Sequence, residues 1–552
     1  SLVVMPTGGG KSLCYQLPAL ADAGLVLVVS PLIALMADQL RRLHEGGVHA
    51  GMLASGMAEG HNAGVLREIE AGDLQLVLVA PERFASGAFR AALARRQLAL
   101  FVVDEAHCVA EWGHDFRPDY LRLHDAIHAL GRPPVMAATA TATPRVASEI
   151  AARLGLREWL SVRAGFDRPN IAFDVLSLQG KGAVARKRAA LLAVLADPSA
   201  RPAIVYCGTR RDTEQVSELL AGRALPTVAY HAGLSPTRRA AAQEAFMTGH
   251  AQVVVATNAF GMGVDKADVR TVVHWALPTS LEAYYQEAGR AGRDGEPARA
   301  LLLAARMDLG RLIRFNNQRA TTVADVKSYV AHLRAQAARE DAEEAAIGHG
   351  QLDERQRVLL SIAERAGALR LRPGGAAGLL VRPTGEGSTR RAAAAIQAAR
   401  DRGWESYRSI ERYMSGTDRC RRRQILEHFA DPSQGSPTGR CCDVCDPDPL
   451  LERALAHAPQ RPPRRARAAT APSLDAADPI DERHFERLRA WRLSRADGKP
   501  AFHVASNAVL QAILRARPSD ERELLAVHGV GPAFCANHGE SLLAELRALG
   551  SR

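Results

Sequence analysis

Short apolar runs alternate with helical repeats through the first 305 residues, and this alternation restricts the fold more than any other feature. One series comprises Leu2–Met5, Leu25–Ser30, Leu74–Ala80, Leu98–Val103 and Pro134–Ala138. A second comprises Ala203–Cys207, Thr227–His231, Gln252–Thr257, Val269–Trp275 and Ala298–Ala304. Runs of this length, rich in β-branched residues and spaced by amphipathic helices, build parallel sheets with helices on both faces. The two series part near Gly165–Gly182, which predicts two α/β domains in tandem, 1–165 and 166–305.

The pattern then changes. Residues 306–446 read as mostly helical and rich in Arg, Ala and Glu, with Gly367–Pro383 as two short strands about a Gly-rich turn. Residues 447–477 carry Pro-Arg repeats and predict a flexible basic linker. Residues 478–552 predict a small all-α bundle. Apolar residues make up 47% of the 552, which excludes a mainly disordered or collagen-like chain. The longest apolar stretch, Leu25–Ala37, is broken by Ser30 and Pro31 and is too short to span a bilayer, so no membrane partner is expected. The chain opens on Ser1 in the middle of a motif, and the expectation is a fragment without its true N-terminus. A net charge of +11 points to polyanionic partners such as nucleic acid, although the preference for Arg over Lys also fits a GC-rich genome. Eight cysteines are too few for a disulfide scaffold. Four of them, Cys420, Cys441, Cys442 and Cys445, cluster as metal ligands do in a reducing compartment.

Three groups of residues carry chemistry. Met5-Pro-Thr-Gly-Gly-Gly-Lys-Ser12 follows an apolar strand and opens a helix predicted over Gly10–Ala21. Backbone amides of Thr7, Gly8, Gly9 and Gly10 can cradle phosphate oxygens, Lys11 can reach the terminal phosphates, and Ser12 can hold Mg²⁺. The strict pattern has Gly where this chain has Met5, and a Gly-rich turn with an incidental Lys is the plainer alternative. Leu98–Val103 ends in Asp104-Glu105-Ala106-His107. A carboxylate at a strand's carboxyl end beside such a loop suits Mg²⁺, so Asp104 would take the metal and Glu105 would deprotonate the attacking water. Gln286, Arg290 and Arg293, spaced four and three apart, would lie along one helix face and meet transition-state charge from the second domain. A solvated Arg face is the alternative.

The order PTGGGKS, SPLIALMADQL, DEAH, ATAT, IVYCGTRR, YHAGL, ATNAFGMGVDKADVR and QEAGRAGRDG resembles a superfamily 2 helicase core of two RecA-like domains. EWGHDFRPDY (111–120) and FDRPNI (166–171) resemble the RecQ family of DNA helicases specifically. The resemblance implies ATP-dependent, 3′-to-5′ unwinding of duplex DNA in recombination and repair. It implies ATP and Mg²⁺ at Lys11, Ser12 and Asp104, with Glu105 as base and Gln286, Arg290 and Arg293 at the γ-phosphate. Asp265 would line the cleft. Trp112, His114, Phe116 and Arg117 would form an aromatic-rich loop that couples DNA contact to hydrolysis, and Thr139 and His231 would lie near DNA. Aromatic faces stack on unpaired bases, which supports that loop; core packing of Trp112 and Phe116 is the alternative. Thr139 and Thr141 read equally as strand-end hydroxyls capping the next helix. Single-stranded and forked duplex DNA are the implied partners, a single-stranded-DNA-binding protein is a further one, and the bacterial cytoplasm and nucleoid are the implied location.

Three departures accompany the resemblance. The family's adenine-recognising segment precedes the phosphate loop and is missing from this sequence. At the zinc region the family pattern falls on Cys420, Gly439, Cys442 and Cys445, with an extra Cys441. Zn²⁺ takes four thiolate or imidazole ligands, so Cys441 would replace the lost position, with His428 in reserve. No winged helix follows the cysteines; the Gly367–Pro383 hairpin is either a displaced wing carrying Arg370, Arg372 and Arg382 or a plain solvated hairpin. Residues 485–549 resemble the HRDC module, with Gly529-Val530-Gly531 as its phosphate-contacting turn and Cys535 as a buried thiol. An RNA-directed superfamily 2 ATPase and a non-motor DNA-binding or annealing protein are the rival readings.

Overall fold

The computed structural model describes every residue except 7, 22–23, 111–119, 121, 179, 181, 262–265, 319–320, 340–341, 348–351, 374–378, 386, 457–480, 496–503, 506, 528–529, 531–533 and 551–552. The first apolar series forms a seven-stranded parallel sheet: β1 (Leu2–Val4), β2 (Leu25–Val29), β3 (Ala50–Leu53), β4 (Leu76–Val79), β5 (Leu98–Val103), β6 (Val135–Thr139) and β7 (Ser161–Arg163). The strands run in the order β3-β4-β2-β5-β6-β1-β7. Every residue of β2 is buried, because helices cover both faces of a parallel sheet, and this is why the segment reads as continuous Leu and Val.

β3 and β7 were not among the expected runs. β3 contains Gly51, where a Cβ would meet Val65 and Leu74 side chains at 2.9 Å, so the glycine serves a close approach that breaks the apolar signal. β7 is a short, largely exposed edge strand and carries no apolar run.

The second series forms a six-stranded parallel sheet of β8 (Ile171–Leu178), β9 (Ala203–Tyr206), β10 (Thr227–Tyr230), β11 (Val253–Ala256), β12 (Thr271–His274) and β13 (Ala298–Ala305). Its order is β10-β11-β9-β12-β13-β8. β8 escapes sequence reading because Asp174 interrupts it. That carboxylate is wholly buried between Arg299, at 3.1 Å, and Arg440.

Residues 306–446 are less uniformly helical than expected. β14 (Ala345–Ile347), β15 (Leu369–Pro373) and β16 (Leu379–Pro383) form an antiparallel sheet in the order β14-β16-β15. The Gly367–Pro383 hairpin is therefore two strands of a small α/β unit, completed by the helices Val323–Arg339, Glu354–Arg365 and Thr389–Ser415. Val330, Leu360, Ile362, Leu369 and Val381 close its core. Asp353 and Gln356 begin the middle helix with a reciprocal cap, the Gln356 amide donating to Asp353 at 2.7 Å. Arg382 pairs with Glu343 at 2.6 Å and Arg370 is exposed; the Arg372 side chain lies outside the described residues.

The linker expectation is corrected at its start only, since its Pro-Arg repeats at 457–477 lie outside the described residues. Pro449–Ala456 is helical and packs on the helix Ala183–Ala196 of the second domain, with Leu451 buried. The segment PLLERALA carries three leucines, and Leu451 covers apolar surface of that helix.

Residues 464–552 form a separate compact unit. Its helices include Glu482–Ser494, Asn507–Ala516, Glu521–Ala526 and Glu540–Gly550. Leu488, Leu510, Ile513, Leu524 and Leu542 make its core, and Cys535 is buried there as expected. Gly529 and Gly531 lie outside the described residues. Among the described residues no helix is long and apolar enough to cross a membrane.

Candidate functional site

Strand order assembles the site. β6 lies between β1 and β5, so the phosphate loop, Thr139 and the Asp104-Glu105 pair meet at one carboxyl edge. The Met5 amide donates to the Thr139 carbonyl at 3.1 Å, and the Ala106 amide to that of Ala138 at 2.9 Å. Gly8 and Gly10 take φ of +85° and +82°, which only glycine adopts without strain. The positive φ at Gly10 also delays the helix, which spans Leu13–Leu20 rather than beginning at Gly10. Lys11 Nζ lies over the loop, 3.4 Å from the Met5 carbonyl oxygen. Sequence reasoning missed Tyr15. Its buried oxygen is hydrogen-bonded by Gln39 at 3.1 Å and by Ser12, and burial together with the Asp104 charge keeps the phenol protonated.

Asp104 is buried, and Glu105 adopts φ of 47°, an uncommon conformation for a non-glycine residue. The Glu105 amide donates to Asp104 Oδ1 at 3.0 Å, and Tyr120 donates its hydroxyl to the Asp104 carbonyl at 3.2 Å. Burial and the neighbouring Glu105 charge raise the Asp104 carboxyl. Burial alone would raise Glu105 too, but the His107 hydrogen bond, Lys11 and Arg290 outweigh it and hold that carboxyl ionised. His107 supplies a role that sequence reasoning left unassigned. Its Nδ1 lies 3.2 Å from Glu105 Oε2 and 3.0 Å from Thr139 Oγ1, joining the carboxylate to β6. An ionised, oriented carboxylate beside a second, buried one is an arrangement suited to phosphoryl transfer.

The arginines do not lie on a helix face. The helix Leu281–Ala288 stops before them, and Arg290 and Arg293 sit in the turn that follows. Arg168 holds that turn. Its guanidinium donates to the carbonyls of Gly289, Ala291 and Gly292 at 2.8, 2.9 and 3.1 Å, and Asn170 donates to Gly292 at 2.7 Å. Gly289 follows the last helical residue and Gly292 takes φ of +53°, so the chain leaves the helix here and these bonds fix the turn. The turn thereby meets the first domain. A Cβ on Gly8 would stand 3.6 Å from Arg293 Cγ, and the charge of the buried Arg290 acts on Glu105. Gln286 is half-buried on the helix. Arg168→Ala is expected to lower the thermal midpoint, since leaving the turn carbonyls without their donor costs about 1–3 kcal/mol. A midpoint equal to wild type in a thermal melt would refute the role.

The cysteine cluster braces this turn from behind. The sulfurs of Cys420, Cys441, Cys442 and Cys445 all lie within 4.8 Å of one another, a donor set suited to tetrahedral Zn²⁺. His428 is not in reserve: its Nε2 is 2.8 Å from Glu282 Oε1 on another helix. Cys420 caps the helix Arg421–His428, whose Arg421 pairs with Asp443 at 3.0 Å. Arg422 donates to the carbonyls of Arg168 and Ile171 at 2.8 and 2.7 Å and pairs with Asp167. Phe429 stacks on Phe166 at 4.3 Å between centroids. Chelator treatment is expected to release zinc and lower the melting temperature, as metal analysis and a thermal melt would read. A chain that carries no zinc as purified would overturn the assignment.

Two expected DNA-proximal residues are corrected. Thr139 is wholly buried, its hydroxyl shared by His107 and the Thr141 amide. His231 is buried as well; its Nδ1 accepts from the Gly233 amide at 3.2 Å and its Nε2 lies 3.4 Å from Glu214. The Thr139 hydroxyl is engaged inside the protein, and the His231 ring is enclosed. Thr7, Trp112, His114, Phe116, Arg117 and Asp265 lie outside the described residues.

Comparison with known proteins agrees with this layout. Residues 1–150 match the DEAD/DEAH box helicase family, 186–295 the helicase conserved C-terminal domain, 387–446 the RecQ zinc-binding family and 481–546 the HRDC domain. The chain is 41% identical over 302 residues to the ATP-dependent DNA helicase RecQ of Pasteurella multocida (strain Pm70), covering 55% of this chain and 47% of that protein. It is 39% identical over 307 residues to the ATP-dependent DNA helicase RecQ of Bacillus subtilis (strain 168), covering 55% and 51%. It spans about half the length of these curated relatives. Among solved structures, the Mycobacterium smegmatis helicase Lhr bound to ssDNA and AMP-PNP matches with a TM-score of 0.44 and 22% identity, covering 73% of this chain and 58% of that one.

Proposed function

The chain belongs to the RecQ family of superfamily 2 helicases, and from that premise we propose that it is an ATP-dependent DNA helicase that moves 3′ to 5′ and serves recombination and repair. One observation carries the reading: Arg293, from the second domain, lies against Gly8 of the phosphate loop, while the charge of Arg290 reaches Glu105. A site divided between two domains ties hydrolysis to their relative movement.

In this reading Thr7, Gly8, Gly9, Gly10 and Lys11 bind the ATP phosphates, with Asp265 lining the cleft. Ser12 and Asp104 would hold Mg²⁺, which would neutralise phosphate charge. Glu105, kept ionised by His107 and Lys11, orients water and accepts its proton. Gln286, Arg290 and Arg293 meet the charge that develops on the γ-phosphoryl oxygens. Trp112, His114, Phe116 and Arg117 sense single-stranded DNA by stacking and phosphate pairing. Forked duplexes are the substrates and a single-stranded-DNA-binding protein the partner, at the nucleoid in the bacterial cytoplasm. The net charge of +11 supports a polyanionic substrate.

The test is ATP hydrolysis alone, with single-stranded DNA and with single-stranded RNA, followed by unwinding of duplexes with 3′ or 5′ tails. Stimulation by DNA and opening of 3′-tailed duplexes are expected. Equal stimulation by RNA would favour an RNA-directed ATPase, and DNA binding without hydrolysis would favour a non-motor protein.

A further inference from the structure

One short stretch, 164–170, joins the two parallel sheets. It leaves β7 at the edge of the first and enters β8 at the edge of the second. A link between domains that move is commonly free to bend over several residues. Here the zinc-binding region holds most of it. The Phe166 amide donates to Asp431 Oδ2, and the Ser436 amide to Asp167 Oδ2 at 2.7 Å. The Thr438 amide donates to the Pro169 carbonyl at 3.0 Å, and Arg422 takes the carbonyls of Arg168 and Ile171. The Phe166 ring lies flat on Phe429. From Phe166 onward the link is therefore bound to the zinc-binding region. The Ala164 amide still belongs to the first sheet, donating to the Val4 carbonyl at 3.0 Å. Between the two held parts stands Gly165, with φ of +84°.

Arg163, the last residue of β7, spans this point. Its Nη2 donates to the Ala142 carbonyl at 2.8 Å and to the Phe429 carbonyl at 3.0 Å. That nitrogen carries two hydrogens, and one goes to each side of Gly165. Its guanidinium also lies over the Phe166 ring, 5.6 Å from the centroid. Ala142 and Phe429 are both buried, so losing the shared donor is costly at either end. The Ala142 end leads into the site. The amide of the preceding Thr141 donates to Thr139 Oγ1 at 3.3 Å. Thr139 Oγ1 lies 3.0 Å from His107 Nδ1, which lies 3.2 Å from Glu105 Oε2. Hydrogen-bond contacts and short pieces of backbone thus run unbroken from Phe429 to the Glu105 carboxylate.

We infer that Arg163 is a positioning residue for ATP hydrolysis, a latch that ties the zinc-binding region to the 139–142 segment and so fixes His107 and Glu105. The inference rests on the reading of the chain as an ATPase and deepens it, since it assigns the region behind the second domain a part in setting the base. Arg163 makes its contacts with backbone and a ring inside the protein, so its removal displaces the base without touching nucleotide contacts. A base moved by a fraction of an ångström loses turnover rather than affinity.

The experiment uses the full chain with ATP titrated at a saturating concentration of single-stranded DNA. Arg163→Ala is expected to lower kcat about tenfold, the size of an ordinary coupling between contacting groups. The ATP KM is expected to stay within about twofold. Arg163→Lys is expected to restore most of the rate, because a single nitrogen serves both carbonyls and an ammonium has donors for both. Amide hydrogen exchange should quicken in Arg163→Ala, and not in Arg163→Lys, at both ends together: in the peptide holding Thr139–Ala142 and in the one holding Phe429. A kcat for Arg163→Ala within about twofold of wild type overturns the inference. So does a raised KM at unchanged kcat, or an equal loss in both variants that follows a lowered thermal midpoint. If the wild-type chain hydrolyses no ATP, the functional reading fails by itself, and exchange decides the latch: an unchanged Thr139–Ala142 peptide in Arg163→Ala rejects it.

Discussion

Glu105→Gln is expected to stop ATP hydrolysis while leaving nucleotide binding nearly intact. The substitution keeps the side chain's shape and removes only its charge. The glutamate is held ionised by His107, Lys11 and Arg290, so at neutral pH it is an acceptor with no proton of its own. Glutamine cannot take a proton from water, and its amide would present donors where acceptors are required. Loss of a positioned base lowers turnover by about a hundredfold to ten-thousandfold. In the proposed reading the phosphate contacts belong to the loop after β1, so binding of a fluorescent nucleotide should change little. The same change removes a partner of His107, whose link to Thr139 at 3.0 Å survives. Steady-state hydrolysis with a binding titration measures both quantities. Turnover within about threefold of wild type would exclude Glu105 as the base.

Arg290→Ala carries the other large expectation. Arg290 is buried in the turn after the Leu281–Ala288 helix, and its charge reaches the Glu105 side chain from the other domain. A guanidinium delivered across the cleft stabilises charge that exists only as the phosphoryl group transfers, so its removal falls on kcat rather than on binding. Arginine residues in this role are worth about a thousandfold or more in turnover. Arg290→Lys should recover little, because a compact ammonium does not reproduce the planar fork. Single-turnover hydrolysis with both variants distinguishes the outcomes. An Arg290→Ala chain with normal turnover and weakened ATP affinity would make Arg290 a binding residue only.

Much of the site was legible because its parts are local. The phosphate loop announces itself by successive glycines before Lys11, and Asp104-Glu105 by its place at the end of an apolar strand. The four cysteines were legible as a ligand set even with Gly439 at a family position, because Cys441 offered a sulfur nearby. Other residues left no such trace. Arg168 holds carbonyls more than a hundred residues away, and a solvated arginine would look identical in sequence. Tyr15 reads as an ordinary helix aromatic until its oxygen is found among Ser12, Gln39 and Asp104. The helical spacing of Gln286, Arg290 and Arg293 misled because the helix ends at Ala288, where Gly289 and Gly292 let the chain turn and Arg168 holds it.

The chain's own text determined its class. Periodicity dictates parallel sheets between helices, because each buried strand and amphipathic helix must cover its apolar side within its own layers. The chemistry at the strand ends followed, since short motifs carry their geometry with them. Which surfaces meet was decided only in three dimensions. The approach of Arg293 to Gly8, the grip of Arg422 on the 167–171 backbone and the pairing of Arg145 with Glu405 each join elements far apart in the chain. Such contacts rest on long-range packing and on charges removed from water, and neither leaves a period or a spacing in the sequence.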